Sequence, residues 1–338
     1  MKYSTYLVML FVVISILPTY ASRTADSRLK CKPDGTFKIV MFADTQDDED
    51  MDPRTTALMQ KVLDEEKPDM VVVGGDCISG GGCDTVDQVK QAISHVAYPM
   101  EQRKIPWAIV FGNHDQEHFP KTKLAKDQVM KIYEGYPWNA NKGWQEGIYG
   151  VGNKDILIRD TAGKATVFAL WLLDSGDYAP KTIGGYDWIH SDQIAWYSKT
   201  SKQLEKKNGK KIPGIMFFHI PLCEYSEMVT QLKITDDRNE PECPSKINSG
   251  LFAAILERQD VKGVFVGHDH VNSYVADWMG VKLGYCSGAV FGTYNMPDGD
   301  PRGKRTRGGR VFLIKQSDPW NYETWMRYLD GDTYPKQL

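Results

Sequence analysis

The sequence predicts an α/β fold in which two mixed β-sheets pack together and helices flank them, as one domain over residues 36–330. Three observations carry this expectation. Five short runs rich in Val, Ile and Phe are apolar without alternation, the pattern of strands buried on both faces. Helix-compatible stretches separate the first three runs, and strand–helix alternation builds parallel βαβ units. Each run also ends abruptly in Gly, Asp, Asn or His.

The first run is KIVMFAD (38–44). The acidic stretch after it holds Asp47, Asp48, Glu49, Asp50 and Asp52. Asp52 before Pro53 has the form of an N-cap and a first helical position, so the stretch reads as a solvated loop capping a helix at 55–66. Asp47 as a supplementary metal carboxylate is the alternative. MVVVGGD (70–76) is the second strand, followed by a helix over 85–102. WAIVFGNHD (107–115) is the third, followed by a helix over 121–133. Strands follow near 156–160 and 166–173, then a helix over 192–206 that Ser191 or Asp192 can cap. KNGKKIP (207–213) is a surface turn, too short for a domain linker. GIMFFHIP (214–221) and GVFVGHDH (263–270) are the remaining core strands, with a helix over 249–259 between them. Further strands are expected near 272–278, 281–286 and 310–315.

The chain has 338 residues, 41% hydrophobic and 25% charged, which is ample for a large core. A net charge of −3 gives no general affinity for nucleic acid, so no nucleic-acid partner is expected. Lys2, the apolar stretch 6–17, Pro18 and the small residues of TYAS read as a signal peptide over 1–21, cleaved after Ala21 or Ser22. A membrane span needs about twenty apolar residues, so no stable span is expected after cleavage. The expected location is secreted or periplasmic, with an N-terminal signal anchor as the alternative. Six cysteines lie in the mature chain, and Cys77 with Cys83 and Cys223 with Cys243 are plausible bridges; free buried thiols are the alternative.

Ligands in open α/β sheets bind beyond the carboxyl ends of the strands. The five polar endings therefore bring Asp44, Asp76, Asn113, His114, Asp115, His219, His268 and His270 to one rim. Oxygen and imidazole donors without a thiolate suit Mn, Fe or Zn. His268 and His270 are two apart on an extended segment and can point the same way. Asp76, after a Gly-Gly turn, can bridge two cations about 3.5–4 Å apart. Each signal alone is ordinary: a lone His219 before Ile-Pro is more often a core histidine than a ligand, and a single GD or GNHD is a common turn. Five such endings in order are not explained as turns.

The order Asp-x-x, Gly-Asp, Gly-Asn-His-Asp, His, Gly-His-x-His resembles the calcineurin-like metallophosphoesterase superfamily, from Phe37 to about Ile314. GNHDQE, FFHIP, VGHDHVN and GGYDWIHSDQIAWYSKTSKQL (184–204) resemble its small purple-acid-phosphatase-like branch. The resemblance implies a four-layer sandwich with a βαβαβ core and two metal ions, Fe, Mn or Zn. It implies that Asp76 bridges them, that Asp44 and His270 serve the first, and that Asn113, His219 and His268 serve the second. His114 would assist the leaving group and Asp115 would orient it. The implied activity is hydrolysis of phosphate monoesters, on a phosphorylated small molecule or a phosphoprotein, by a hydroxide held at the metals. A phosphodiesterase or nucleotidase, or a non-catalytic phosphate-binding homologue, is the alternative.

Two positions depart from the pattern. Gln46 stands where most of the superfamily has a histidine, and Ser79 where the true purple acid phosphatases have an iron-binding tyrosine. Either the Gln46 oxygen is a weak neutral ligand, or a water replaces it, or the first site is weak. The basic stretch 295–310 holds Arg302, Lys304, Arg305, Arg307 and Arg310. It reads as a solvated hairpin loop; overhanging the site to attract an anionic substrate, Arg305 foremost, is the alternative. Tyr186 and Trp188 are candidates for a rim against the organic part of the ester, and His118 and His190 for accessory roles, in each case against a structural reading.

Overall fold

Val40 and Phe42 face one way from the first strand and Ile39 and Met41 the other, and all four are buried. This period of two, apolar on both sides, needs a layer above and a layer below. The computed structural model describes residues 27–296, 300 and 306–334. Its elements begin with β1 (Thr36–Phe42), α1 (Pro53–Glu66), β2 (Met70–Gly74), α2 (Val86–Arg103) and β3 (Trp107–Val110). The short α3 (Phe119–Thr122) and α4 (Lys126–Glu134) follow, then β4 (Lys154–Arg159), β5 (Thr166–Leu172) and α5 (Ser191–Asn208). The second half continues through β6 (Gly214–Phe217), α6 (Cys223–Leu232), α7 (Leu251–Arg258), β7 (Val261–Val266), β8 (Val275–Trp278) and β9 (Val281–Tyr285). It closes with β10 (Gly308–Lys315), β11 (Glu323–Tyr328) and β12 (Thr333–Tyr334).

Two six-stranded sheets result, ordered β12-β11-β10-β1-β2-β3 and β4-β5-β6-β7-β9-β8. In the first, β1, β2 and β3 are parallel and β10 is antiparallel to β1. In the second, β5, β6, β7 and β9 are parallel, with β4 and β8 antiparallel at the edges. Three cores stack in order. Val71 and Val73 pack with α1, α2 and α4; Met41, Val72, Ile215, Phe217 and Phe265 fill the space between the sheets; Met216 and Phe218 pack with α5, α6 and α7. The expected α/β sandwich of two mixed sheets with outer helices is the structure found.

The helix starts follow local chemistry. The Asp52 side chain accepts from the Arg54 amide and Pro53 opens α1, so the acidic stretch caps a helix as expected. Asp47 accepts from the Asp48 and Asp52 amides and so shapes that loop. Thr85 and Gln88 form a capping box on α2.

Three expectations change. α6 occupies what reads as a polar loop after Cys223; Tyr225, Met228 and Val229 give it a buried face at helical spacing. All six cysteines are free thiols, so neither plausible bridge forms. β11 and β12, absent from the strands expected, extend the first sheet beyond β10.

Glu66, buried at the end of α1, ties that helix to the sheet below. It accepts from Trp325 Nε1 (3.1 Å), Arg327 Nε (2.7 Å) and Lys38 Nζ (3.1 Å). Burial opposes its charge, but these three donors together hold its carboxyl below the ordinary 4.5. A depressed folded-state value means that this stability is present above the unfolded value and lost as pH falls through the folded one. Glu66→Gln is expected to lower unfolding free energy in urea by about 2 kcal/mol at pH 7. The gap to wild type should narrow below about pH 4; an equal gap at both pH values would contradict the ion-pair assignment.

Candidate metal centre

Three of the expected ligands sit where a strand stops and the backbone turns left-handed: Asp44 (φ 48°), Asp76 (φ 46°) and His268 (φ 77°). Residues other than glycine occupy this region at a cost of about 1 kcal/mol or more, so the tertiary structure must hold them there. The glycines of the motifs make the closeness feasible. A Cβ on Gly112 would lie 2.3 Å from Asp76 Oδ1, and one on Gly75 2.5 Å from His219 Nδ1. Gly112 thus admits Asp76 from the adjacent strand of its own sheet, and Gly75 admits His219 from the other sheet.

The structure brings the expected residues together from both sheets. The amide of His268 donates to Asp44 Oδ1 (3.1 Å), and His270 Nε2 lies 3.6 Å from the same oxygen. The amide of His114 donates to Asp76 Oδ1 (2.8 Å), and His219 Nε2 lies 3.0 Å from Asp76 Oδ2. Donor atoms of Asp76, His219 and His268 lie within 4.8 Å of one another. His219 Nδ1 is held by the Gly74 carbonyl (3.0 Å), which leaves Nε2 as its ligand atom. His270 Nδ1 faces the Tyr294 carbonyl (3.2 Å), with the same consequence, and its ring stacks on Tyr294 at 4.1 Å.

Several of these atoms have nothing to bond. Asp44 Oδ2, Gln46 Oε1, Asn113 Oδ1 and His268 Nε2 are buried side-chain atoms with no hydrogen-bond partner, and His219 Nε2 meets only the Asp76 carboxylate. All five belong to expected ligand positions. Orphaned buried acceptors cost free energy unless something positive meets them. A donor set of carboxylate, amide oxygen and imidazole, dry and unsatisfied, fits hard or borderline divalent cations.

The charges agree. Burial, then the cation of His219, brings His268 down to about 3, and burial brings His270 down to about 4, so both are neutral imidazoles. Burial opposes charge on His219, but Asp76 raises it to about 10. Burial also pushes Asp44 well above the usual carboxylate range, with Asp76 adding to it.

His114 is partly exposed at the edge, and its acid partner is not the expected one. Asp115 accepts from the amides of Ile78 (3.0 Å) and Gly112 (2.8 Å), so it holds the loop and does not orient His114. Those two amides are buried and need an acceptor, and the adjacent residue is the one in reach. Glu117 Oε2 meets His114 Nδ1 instead, at 2.8 Å. The sequence signal was the three-residue spacing within GNHDQE.

Tyr186 sets its ring against the edge of His268 at 4.2 Å and so reaches the rim. Trp188 stacks on His190 at 4.9 Å, a packing role. His118 is buried, with Nδ1 2.8 Å from Thr122 Oγ1. Arg302, Lys304 and Arg305 lie outside the described residues. Arg307 donates to the Val290 carbonyl (2.8 Å) and lies over the Phe291 ring. Arg310 is buried, donating to the carbonyls of Tyr285 and Ser273, so it serves the fold and does not attract substrate.

The calcineurin-like phosphoesterase family profile matches residues 37–272. The chain is 33% identical to the probable inactive purple acid phosphatase 14 of Arabidopsis thaliana, over 79% of this chain and 74% of that one. It is 30% identical to the probable inactive purple acid phosphatase 29 of the same plant, over 94% and 89%. It is 31% identical to the phosphatase DCR2 of Saccharomyces cerevisiae, over 93% of this chain and 57% of that one. Among solved structures, a dimetal phosphatase from Danio rerio shares the fold, with a TM-score of 0.55 and 16% identity over 86% of this chain and 95% of that one. Profile, relatives and fold agree with the motif order: the chain belongs to the calcineurin-like phosphoesterase family, alongside relatives of the purple acid phosphatase type.

Proposed function

We propose that the chain is a dinuclear metal-dependent phosphohydrolase that cleaves phosphate monoesters. The observation that carries this reading is the cluster of Asp76, His219 and His268 donor atoms within 4.8 Å of one another, joined by unpartnered buried atoms on Asp44, Gln46, Asn113 and His268. Buried acceptors would repel an anion directly and so call for cations, and the partly exposed His114 paired with Glu117 beside them supports proton transfer beyond mere binding. Asp76, which meets His219 from the other sheet, would contribute its carboxylate to both cations. Asp44, Gln46 and His270 would hold the first cation, and Asn113, His219 and His268 the second. The cations, when bound, neutralise phosphoryl oxygens and acidify the attacking water.

The residues of this chain do the rest. Asn113 and His114, on one loop, meet the phosphoryl group. His114 Nδ1 is occupied by Glu117, so Nε2 is the atom free to give a proton to the leaving oxygen. Among the described residues no helix is long and apolar enough to cross a membrane. Export is part of the same proposal; its support is Lys2 with the apolar stretch 6–17, which lies outside the described residues. The names of the two plant relatives make an inactive phosphate binder the reading to test against.

The deciding experiment is elemental analysis of the purified protein with a phosphoester panel in Mn²⁺, Zn²⁺ and Fe²⁺. Two metals per chain are expected, with turnover of an aryl phosphate exceeding that of its bis-ester and lost on chelation. Metal without turnover would support the inactive reading, and preference for the bis-ester would support a phosphodiesterase.

His114→Ala is expected to keep both metals and to lower kcat by about 10²–10⁴. Unchanged kcat would remove His114 from the reaction.

Gln46 supplies a neutral oxygen where a charged or imidazole donor would bind more tightly. Calorimetric titration is expected to resolve a weaker and a tighter site, with Gln46→His strengthening only the weaker. Two equally tight sites in the wild-type protein would contradict the ligand assignment.

A further inference from the structure

Four side chains form a line of hydrogen bonds along the rim. Asn113 Nδ2 donates to Tyr178 Oη at 3.2 Å. Tyr178 Oη donates to Glu117 Oε1 at 2.7 Å. Glu117 Oε2 meets His114 Nδ1 at 2.8 Å. We propose that Glu117 is the positioning residue of His114, and that Tyr178 fixes Glu117 relative to the ligand Asn113. The inference rests on the phosphohydrolase reading above and adds to it the residues that aim its proton donor.

The geometry excludes the neighbouring acid. Both oxygens of Asp115 are engaged by the Ile78 and Gly112 amides, so Glu117 is the carboxylate that meets the His114 ring. The glycine-rich stretch 80–82 is the floor under this arrangement. The Gly80 amide donates to the His114 carbonyl at 3.1 Å. A Cβ on Gly80 would lie 2.6 Å from that carbonyl, and one on Gly81 3.2 Å from Glu117 Oε2. Tyr178, half exposed, closes the outer side and stacks on Tyr186 at 5.9 Å.

A carboxylate at Nδ1 keeps a proton there and turns Nε2 toward the substrate. Both Glu117 oxygens are used, one on the ring and one on the phenol. The carboxylate cannot swing without breaking one of the two bonds. The phenol in turn accepts from Asn113, which leaves Asn113 Oδ1 as the free ligand atom of that amide. One chain of bonds thus sets both the metal-facing oxygen and the proton-donating nitrogen.

The test uses Glu117→Gln and Tyr178→Phe in the full-length, Mn²⁺-loaded protein. The substrates are p-nitrophenyl phosphate, whose leaving group needs little protonation, and glycerol 2-phosphate, whose leaving group needs much. Glu117→Gln is expected to lower kcat about 100-fold on the alkyl ester and under about 10-fold on the aryl ester. KM and Mn²⁺ affinity by calorimetry should hold. Tyr178→Phe should show the same pattern more weakly. Equal losses on both esters, or lost Mn²⁺ affinity, would overturn the proposal in favour of a purely structural acid. ¹⁵N spectra of histidine-labelled protein provide a readout independent of turnover. The His114 ring should hold a proton at Nδ1, bonded to Glu117, in addition to the Nε2 proton that it gives to the leaving oxygen, and the Nδ1 signal should change in Glu117→Gln. An unchanged ring signal overturns the pairing whatever the turnover. A changed signal in a protein that hydrolyses neither ester supports the pairing and overturns the phosphohydrolase reading.

Discussion

Two carboxylates, Asp44 and Asp76, are buried at the ends of adjacent parallel strands, and the site is organised around that electrostatic conflict. Like charges in a dry region cost several kcal/mol per ion unless matched by cations or hydrogen bonds. His219 partly answers Asp76, from the other sheet, at 3.0 Å. Asp44 is left with an unpartnered oxygen. A sandwich that needed only stability would fill this seam with apolar side chains, as it does elsewhere between the sheets. The unmatched charge at the strand ends makes cation binding the natural completion of the fold.

The same seam explains why the site draws on both halves of the chain. β1, β2 and β3 present Asp44, Asp76 and Asn113; β6 and β7 present His219, His268 and His270. Neither sheet alone carries all six of these residues. Inter-sheet packing of Met41, Val72, Phe217 and Phe265 sets the distance between the two groups. Core packing and the spacing of these side chains are therefore one constraint, since interiors are close-packed and transmit small displacements.

Much of this was legible in the sequence. Strands buried on both faces announce themselves as unbroken Val, Ile and Phe runs, and polar residues at their ends have no reason to be there except a rim. α6 was harder, because Cys223 and the polar residues after it obscure a three-residue apolar face at Tyr225, Met228 and Val229.

By itself the sequence determined the α/β class, the order of the strands that end in Asp, Asn and His, and the residue types that meet at their tips. Those follow from periodicity and from chain order, which are local properties. Only the tertiary structure decided that Glu117 and not Asp115 faces His114, that Tyr178 joins it to Asn113, that Arg310 is buried, and that the cysteines stay apart. Each of these depends on which unsatisfied backbone amide or ring another segment brings within about 3 Å. Adjacency in sequence does not fix that distance; the packing of two sheets does.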